Sequence, residues 1–281
     1  MKTFAEGFPN HLYIHWPFCK SKCHFCDFVA FEKHEDYQEA YHKTLCTEIE
    51  KFAQRFPVKN RLPQTVFIGG GTPSLYPLNK MEQLFSLLKK TCNLTNCKEV
   101  SMECNPADIT EERLDAWDFF GINRLSMGVQ CLNDDILFKL NRRQRTKDVF
   151  NAIKIIPKYF KNISIDLILG LPGVSEDEWK QTLKEVASWP IKHISIYFLM
   201  IHEKTPLYFK VEQKKVSLLE DKNIVKLYEY TVELLAQNNF MQYEISNFSK
   251  SGYTSLHNQA YWDRLPYKGF GVGSSSFDRL Y

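Results

Sequence analysis

Six short apolar runs, each closed by turn residues and separated from the next by a stretch with helical spacing, limit this chain to few folds. The runs are residues 12–16 (LYIHW), 65–68, 99–103, 124–129, 163–169 and 193–200. Runs of this length between turn signals predict buried strands. The second ends in Gly69-Gly70-Gly71. Residues 81–88 set Leu84, Phe85, Leu87 and Leu88 on one broad helical face. Residues 110–120 begin with Thr110 as an N-cap, and residues 175–187 with Ser175, three before Glu178, as in a capping box. Strands alternating with helices imply an α/β fold with a parallel sheet. Six units fit a partial (β/α)6 barrel; an open doubly wound sheet is the other reading. Either puts its chemistry at the C-terminal strand ends. Gly69, Gly70, Gly71, Thr72, Glu103 and Gln130 fall there, and Asp166 lies within the fifth run. Beyond Lys204 the rhythm stops. Asp221–Gln237 reads as one amphipathic helix and the rest as loops and short strands. The expected division is a barrel over residues 1–205 and an extension over 206–281.

Composition narrows the function classes. The formal charge is +3, from 36 basic and 33 acidic residues, and the pI is near 8.3. That balance gives no reason to expect a nucleic-acid partner. No run of 18 apolar residues exists, so no membrane span is expected. Residues 1–16 lack a basic segment followed by an apolar run, so they do not read as a secretory leader, and a cytoplasmic location is expected.

Eight cysteines in such a chain point to metal binding or catalysis rather than disulfides. Cys19, Cys23 and Cys26 form C-x3-C-x2-C; Cys46, Cys92, Cys97, Cys104 and Cys131 are scattered. Three thiolates on one loop suit three irons of a [4Fe-4S] cluster, which normally takes four cysteines. A zinc site with His24 as fourth ligand is the competing reading, since structural zinc is four-coordinate. His24 sits between two of the cysteines, where a tight loop limits its reach.

The motifs LYIHWPFC (12–19), GGGTPS (69–74), ECNP (103–106), NRLSMGVQ (123–130), DLILGLPG (166–173) and YEISNFS (243–249) occur in this order. Together they resemble the radical S-adenosylmethionine (SAM) superfamily, in its oxygen-independent coproporphyrinogen III oxidase-like family. The resemblance implies a radical SAM barrel. Its cluster, held by Cys19, Cys23 and Cys26, would leave one iron open to the amino and carboxylate groups of SAM. An electron from the cluster then cleaves a carbon–sulfur bond of SAM. Tyr13 and the Phe25 backbone would contact the methionine and adenine parts, and Gly70, Gly71 and Thr72 the methionine amine. Glycine lets backbone approach a ligand closely, although a triple glycine alone is usually a turn. Glu103 and Arg142 would bind the polar ends, Gln130 and Asp166 the ribose hydroxyls, and Met200 would line the adenine pocket. Asp166 also reads as a structural hydrogen-bonding group, and Met200 as core.

Two branches share this domain. The oxidases resemble C-x3-C-x2-C-x-C, and here the last position is Phe28. Cys26-Asp27-Phe28 instead resembles the haem-chaperone (HemW-type) branch. So does His257-Asn-Gln-Ala-Tyr261-Trp262, the branch's HNxxYW motif, which implies haem contacts from His257, Tyr261 and Trp262. Without the resemblance His257 reads as a surface or capping histidine. Ser275 stands where chaperone relatives usually show histidine, and His202 where glutamate is usual. The chain stops at Tyr281 whereas relatives continue into a small C-terminal domain, which is therefore expected to be lacking. The expected function is a haem chaperone delivering haem to acceptor haemoproteins. An electron donor for the cluster and a second copy of the chain are further candidate partners. The alternative is an oxygen-independent coproporphyrinogen III oxidase.

Overall fold

A computed structural model describes residues 7–278. Residues 1–6, the start of the segment read against a leader, and residues 279–281, where the chain stops, lie outside the described residues.

All six expected strands form, in the expected order. They are β1 (His11–Trp16), β2 (Thr65–Gly70), β3 (Glu99–Cys104), β4 (Arg124–Gln130), β5 (Asn162–Leu169) and β6 (His193–Phe198). Each pairs in parallel with the next. The intervening helices are α1 (Gln38–Ala53), α2 (Leu78–Thr91), α3 (Glu111–Phe120), α4 (Asp134–Lys139), α5 (Thr146–Ile155) and α6 (Glu176–Ala187). After β6 come α7 (Pro206–Glu212), α8 (Asp221–Gln237), β7 (Met241–Gln242), β8 (Asn247–Ser249), α9 (Leu256–Trp262) and β9 (Tyr267–Phe270). The sheet order is β9-β1-β2-β3-β4-β5-β6-β8-β7.

That order decides between the two expected architectures. A doubly wound sheet reverses its strand order at a switch point and carries helices on both faces. Here the order runs straight from β1 to β6, and the strands alternate. Leu12, Ile14, Trp16, Val66, Ile68, Val100, Met102, Leu125, Met127, Ile163, Ile165, Ile194 and Ile196 share one continuous core with helix residues such as Leu45, Leu84, Leu114, Val149 and Leu183. The intervening residues point to the other face: His11, Tyr13 and His15; Glu99, Ser101 and Glu103; Arg124 and Ser126; Ser164 and Asp166; His193 and Ser195. One face is thus apolar and helix-covered, the other polar, as in a partial barrel with a polar concave side.

Local capping follows the sequence. Ser175 Oγ accepts from the Glu178 N–H at 3.2 Å and Glu178 Oε2 from the Ser175 N–H at 2.8 Å, completing the capping box of α6. Thr110 caps α3 in the same way through the Arg113 N–H. The extension does more than wrap the barrel. β9 pairs in parallel with β1, and β8 pairs antiparallel with β6, so residues after 206 extend the sheet at both sides.

Candidate functional site: a polar barrel mouth beside the cysteine loop

The concave face divides along the strand axis. Its C-terminal half is a cleft of about 320 Å³ lined by Tyr13, His15, Phe28, Val29, Gly70, Glu103, Tyr261, Tyr267, Gly273, Ser274 and Ser275. The cysteine loop lies over this end. Cys19 begins it in a two-residue strand, Phe18–Cys19, which pairs in parallel with Phe31–Glu32. The loop is pinned from the barrel side: the His24 N–H donates to Leu140 O at 3.0 Å, the Leu207 N–H to His24 O at 2.9 Å, and Asn141 Nδ2 to Lys22 O at 2.9 Å. All three thiols are free and half-buried. Burial raises the Cys19 thiol above its ordinary range and pushes Cys26 up to about 11. Two barrel groups already reach the loop's sulfurs. Thr72 Oγ1 donates to Cys19 Sγ at 3.3 Å and Arg142 Nη1 to Cys23 Sγ at 3.3 Å.

His24 does not face these sulfurs. Its Nδ1 lies 2.8 Å from Lys139 O and 3.2 Å from Lys210 Nζ, toward α4 and α7. Among the described residues, no three His, Cys, Asp or Glu side chains gather around one point as a single ion requires. Thiolates that each hold a different iron of a cluster need no such convergence.

The glycine turn after β2 is a cradle. Gly70 has φ +119°, and a Cβ there would lie 2.8 Å from Trp16 O; one at Gly71 would lie 2.8 Å from Pro17 O and 2.9 Å from Cys19 Sγ. Only bare backbone fits between the loop and β2. The Gly70 N–H donates to Glu103 Oε2 at 3.1 Å. Glu103 lies deep in the barrel with one face on the cleft, and burial, then the charge of Asp166, push its carboxyl up to about 8. Asp166 accepts from Ser126 Oγ at 3.2 Å and is also raised, chiefly by burial. A desolvated carboxyl on the cleft wall, with a second close behind it, favours a cationic ligand.

Gln130 sits at a β-bulge where the register of β4 with β5 shifts, and its φ of 70° is left-handed. A bulge re-aims the side chain that a regular strand would point elsewhere. Beside it, Arg142 Nη2 donates to Gly128 O at 2.7 Å, and buried Arg142 Nε has no protein partner. Phe25 packs in a small apolar cluster with Leu137, Leu171 and Leu207, joined by Leu199 and Ile201 on either side of Met200. Met200 itself is 64% exposed. His202 Nδ1 is 3.2 Å from Asp27 Oδ2, tying the loop after β6 to the residue following Cys26.

The N-terminal half of the concave face is sealed by α9. Glu99, buried at the start of β3, accepts from Ser101 Oγ at 2.9 Å, the Leu256 N–H at 2.8 Å and the His257 N–H at 3.3 Å. It satisfies donors that the first turn of a helix leaves unpaired. His257 is fully buried; its Nδ1 lies 2.7 Å from Thr65 Oγ1 and its Nε2 2.8 Å from Tyr261 OH. Burial pushes its imidazole down to about 3, so the ring is neutral at ordinary pH. In this conformation both ring nitrogens are engaged by these two hydroxyls. Tyr261, one turn on, reaches the cleft wall, whereas Trp262 is 65% exposed.

Several site groups escaped the sequence reading. His15 Nε2 donates to Val29 O at 2.8 Å, which leaves Nδ1 to accept from Tyr13 OH at 3.1 Å. The period-two alternation of His11, Tyr13 and His15 in HLYIHW is the available signal. Tyr267 enters the cleft because β9 pairs with β1, and a four-residue strand gives no comparable signal.

A family model described as the radical SAM superfamily matches residues 13–186. The protein named Heme chaperone HemW from Lactococcus lactis is 34% identical over 271 residues, covering 96% of this chain and 70% of that protein. Its Bacillus subtilis namesake is 33% identical over 94% of this chain and 70% of its own length. Escherichia coli coproporphyrinogen III oxidase (HemN), described as a radical SAM enzyme, superposes with a TM-score of 0.83 at 25% identity. The match covers 98% of this chain, which spans 66% of the oxidase. The chain belongs to the radical SAM superfamily and, within it, to the heme chaperone HemW family.

Proposed function

We propose that this chain binds haem and passes it to acceptor haemoproteins, on a core that holds a [4Fe-4S] cluster and SAM. Cys19, Cys23 and Cys26 hold the cluster. When bound, cluster and SAM supply one-electron cleavage chemistry. The chain's own residues bind and orient. Gly70 and Gly71 leave room for the methionine end, Thr72 and Arg142 stabilise thiolate charge at Cys19 and Cys23, and Glu103 receives a cationic group. Asp166 and the bulge residue Gln130 stand ready for ribose hydroxyls. Phe25 and Met200 form the apolar side toward the adenine, and Tyr13 stands on the cleft wall against the glycine turn.

The observation that carries the chaperone reading over the oxidase reading is Phe28. Where the oxidase pattern has a cysteine, this chain has an aromatic ring on the cleft rim, 61% exposed. With Val29 beside it, the rim offers apolar surface to a flat macrocycle rather than a further thiol. The other whole-chain reading, oxidative decarboxylation of coproporphyrinogen III, is tested in the same tube. The chain is reconstituted anaerobically with iron and sulfide, haem is added, and haem uptake and decarboxylation are both measured. Stable haem uptake without decarboxylation is expected. Decarboxylation dependent on SAM would replace the chaperone reading with the oxidase.

A further inference from the structure

Cys23, the middle cysteine of the loop, lies where three chain segments meet, and none of the three lines the cleft. Residues 20–24 are held to residues 138–145 by Ser21 Oγ donating to Asn141 O at 3.4 Å, Asn141 Nδ2 to Lys22 O at 2.9 Å and the His24 N–H to Leu140 O at 3.0 Å. Residues 205–211 close on the same stretch: the Leu207 N–H donates to His24 O at 2.9 Å, and Lys210 Nζ lies 3.2 Å from His24 Nδ1. These segments carry seven lysines and arginines and no Asp or Glu. Arg142 is turned to Cys23 Sγ, and Arg143 is neutralised by Asp108 at 2.7 Å. Lys20, Lys22, Lys139, Arg145 and Lys210 remain, and among the described residues none of these five pairs with a carboxylate. Of the neighbouring carboxylates, Asp27 faces His202 and Glu32 accepts from the Lys22 N–H. Glu203 and Glu212 flank the third segment, each with a lysine within two residues. Phe138 and Phe209 stand among the cations, 70% and 51% exposed, with the Arg145 guanidinium 5.7 Å from the Phe138 ring.

We propose that this surface docks a small acidic one-electron carrier protein that reduces the cluster. The inference rests on the cluster reading above and gives the electron a place of entry. Cleavage of SAM needs one electron from outside the chain. Tunnelling falls off exponentially with distance, so the donor must reach surface close to a cluster ligand. The cleft side is where SAM is placed. Here Lys22 and His24 flank Cys23 in the chain, which makes Cys23 Sγ the covalent entry to the cluster from this surface. The whole chain carries a formal charge of only +3, so five unpaired cations in one place are a local feature rather than the background of a basic protein. Cations ringed around two exposed aromatic side chains fit a partner of opposite charge with an apolar patch at its redox centre. The step moves one electron and no proton. A flavin carrier passes from its reduced anion to its neutral radical while the cluster passes from [4Fe-4S]2+ to [4Fe-4S]+.

The test mixes the cluster-loaded chain with a fully reduced flavodoxin, a small acidic flavoprotein, and follows cluster bleaching by stopped-flow absorbance. Dithionite, a small reductant that needs no docking face, is the control. Wild type should be reduced by the flavodoxin with a second-order rate that falls steeply as salt is added. Lys20→Glu and Lys139→Glu should each slow that reaction about tenfold at low salt and flatten its salt dependence. Both should weaken binding of the oxidised flavodoxin, measured by calorimetry, to a similar degree. Phe138→Ser should weaken binding while the salt dependence is kept. Iron content and the dithionite rate should match wild type in all three variants. Flavodoxin reduction at the wild-type rate in both charge-reversed variants would overturn the docking face and leave the cluster reading standing. So would a wild-type chain that dithionite reduces and the flavodoxin does not. A chain that assembles no cluster would sink both.

Discussion

The two halves of the concave face are built from the same strands and do opposite things with polar groups. In the N-terminal half, Thr65, Glu99, His193 and His257 find protein partners: Thr65 Oγ1 bridges His11 and His257, Glu99 caps α9, and His193 links Ser164 Oγ to Tyr243 OH at 2.8 and 2.7 Å. In the C-terminal half the groups are left unfinished. Glu103 and Asp166 share one space with raised pKa values, Arg142 Nε is unpaired, and the glycine cradle is bare backbone. Unpaired nitrogens do not separate the halves, since Arg124 Nε in the first is as bare as Arg142 Nε in the second. What separates them is the pair of carboxyls raised by burial and the open glycine cradle, features that mark a place for a ligand. On the reading proposed above, the first half is scaffold and the second is site.

The largest expected effect lies on the site side. Replacing Cys19, Cys23 or Cys26 singly by serine should reduce reconstituted iron from about four per chain to a small fraction, while Cys131→Ser should leave it unchanged. Iron and sulfide assays decide this, and full iron retention in any of the three would remove that residue from the ligand set. On the scaffold side, Glu99→Ala leaves the first turn of α9 without its acceptor. It should cost roughly 3 kcal/mol in denaturant unfolding while iron uptake is retained. A variant as stable as wild type would show that α9 does not depend on this cap. Thr65→Val strips a partner from both His11 and His257 and should cost about 1–3 kcal/mol, without altering SAM affinity. A fall in SAM affinity instead would join the two halves into one unit.

A further effect concerns pH. Glu103 ionises near 8 in the fold against an ordinary value of 4.5, because burial and then Asp166 oppose its charge. Between those values the folded state keeps a proton that the unfolded state has lost. Stability therefore falls as pH rises from about 4.5 through 8. Glu103→Gln removes that titration and should flatten the ligand-free stability profile across the same window. An unchanged slope, measured by thermal unfolding, would assign the titration to another group.

Much of this was legible in the sequence because it depends on local pattern. Six apolar runs and the capping residues Thr110 and Ser175 report short-range periodicity and hydrogen bonding, and the strands formed where expected. The alternation within those runs was equally present. Reading Glu99–Glu103 or the fifth run as apolar averages over it, so Asp166 looks isolated when it belongs to a whole polar face. What escaped depends on distant partners. Tyr267 reaches the cleft only because β9 joins β1 across some 250 residues of sequence. HNxxYW gives no hint that Glu99 draws its first turn into the barrel, enclosing His257.

The division of the concave face is tested most directly by counting protons released when SAM binds the cluster-loaded chain at pH 7. Calorimetry in two buffers of different ionisation enthalpy gives the number, for wild type and for Glu103→Gln. A cation entering the cleft should ionise Glu103, so wild type should release close to one proton more than the variant. That excess should vanish by about pH 9, where the carboxyl is already charged. Equal release from both proteins at pH 7 would contradict the assignment of Glu103, and with it the claim that the unfinished half of the barrel is the cofactor site.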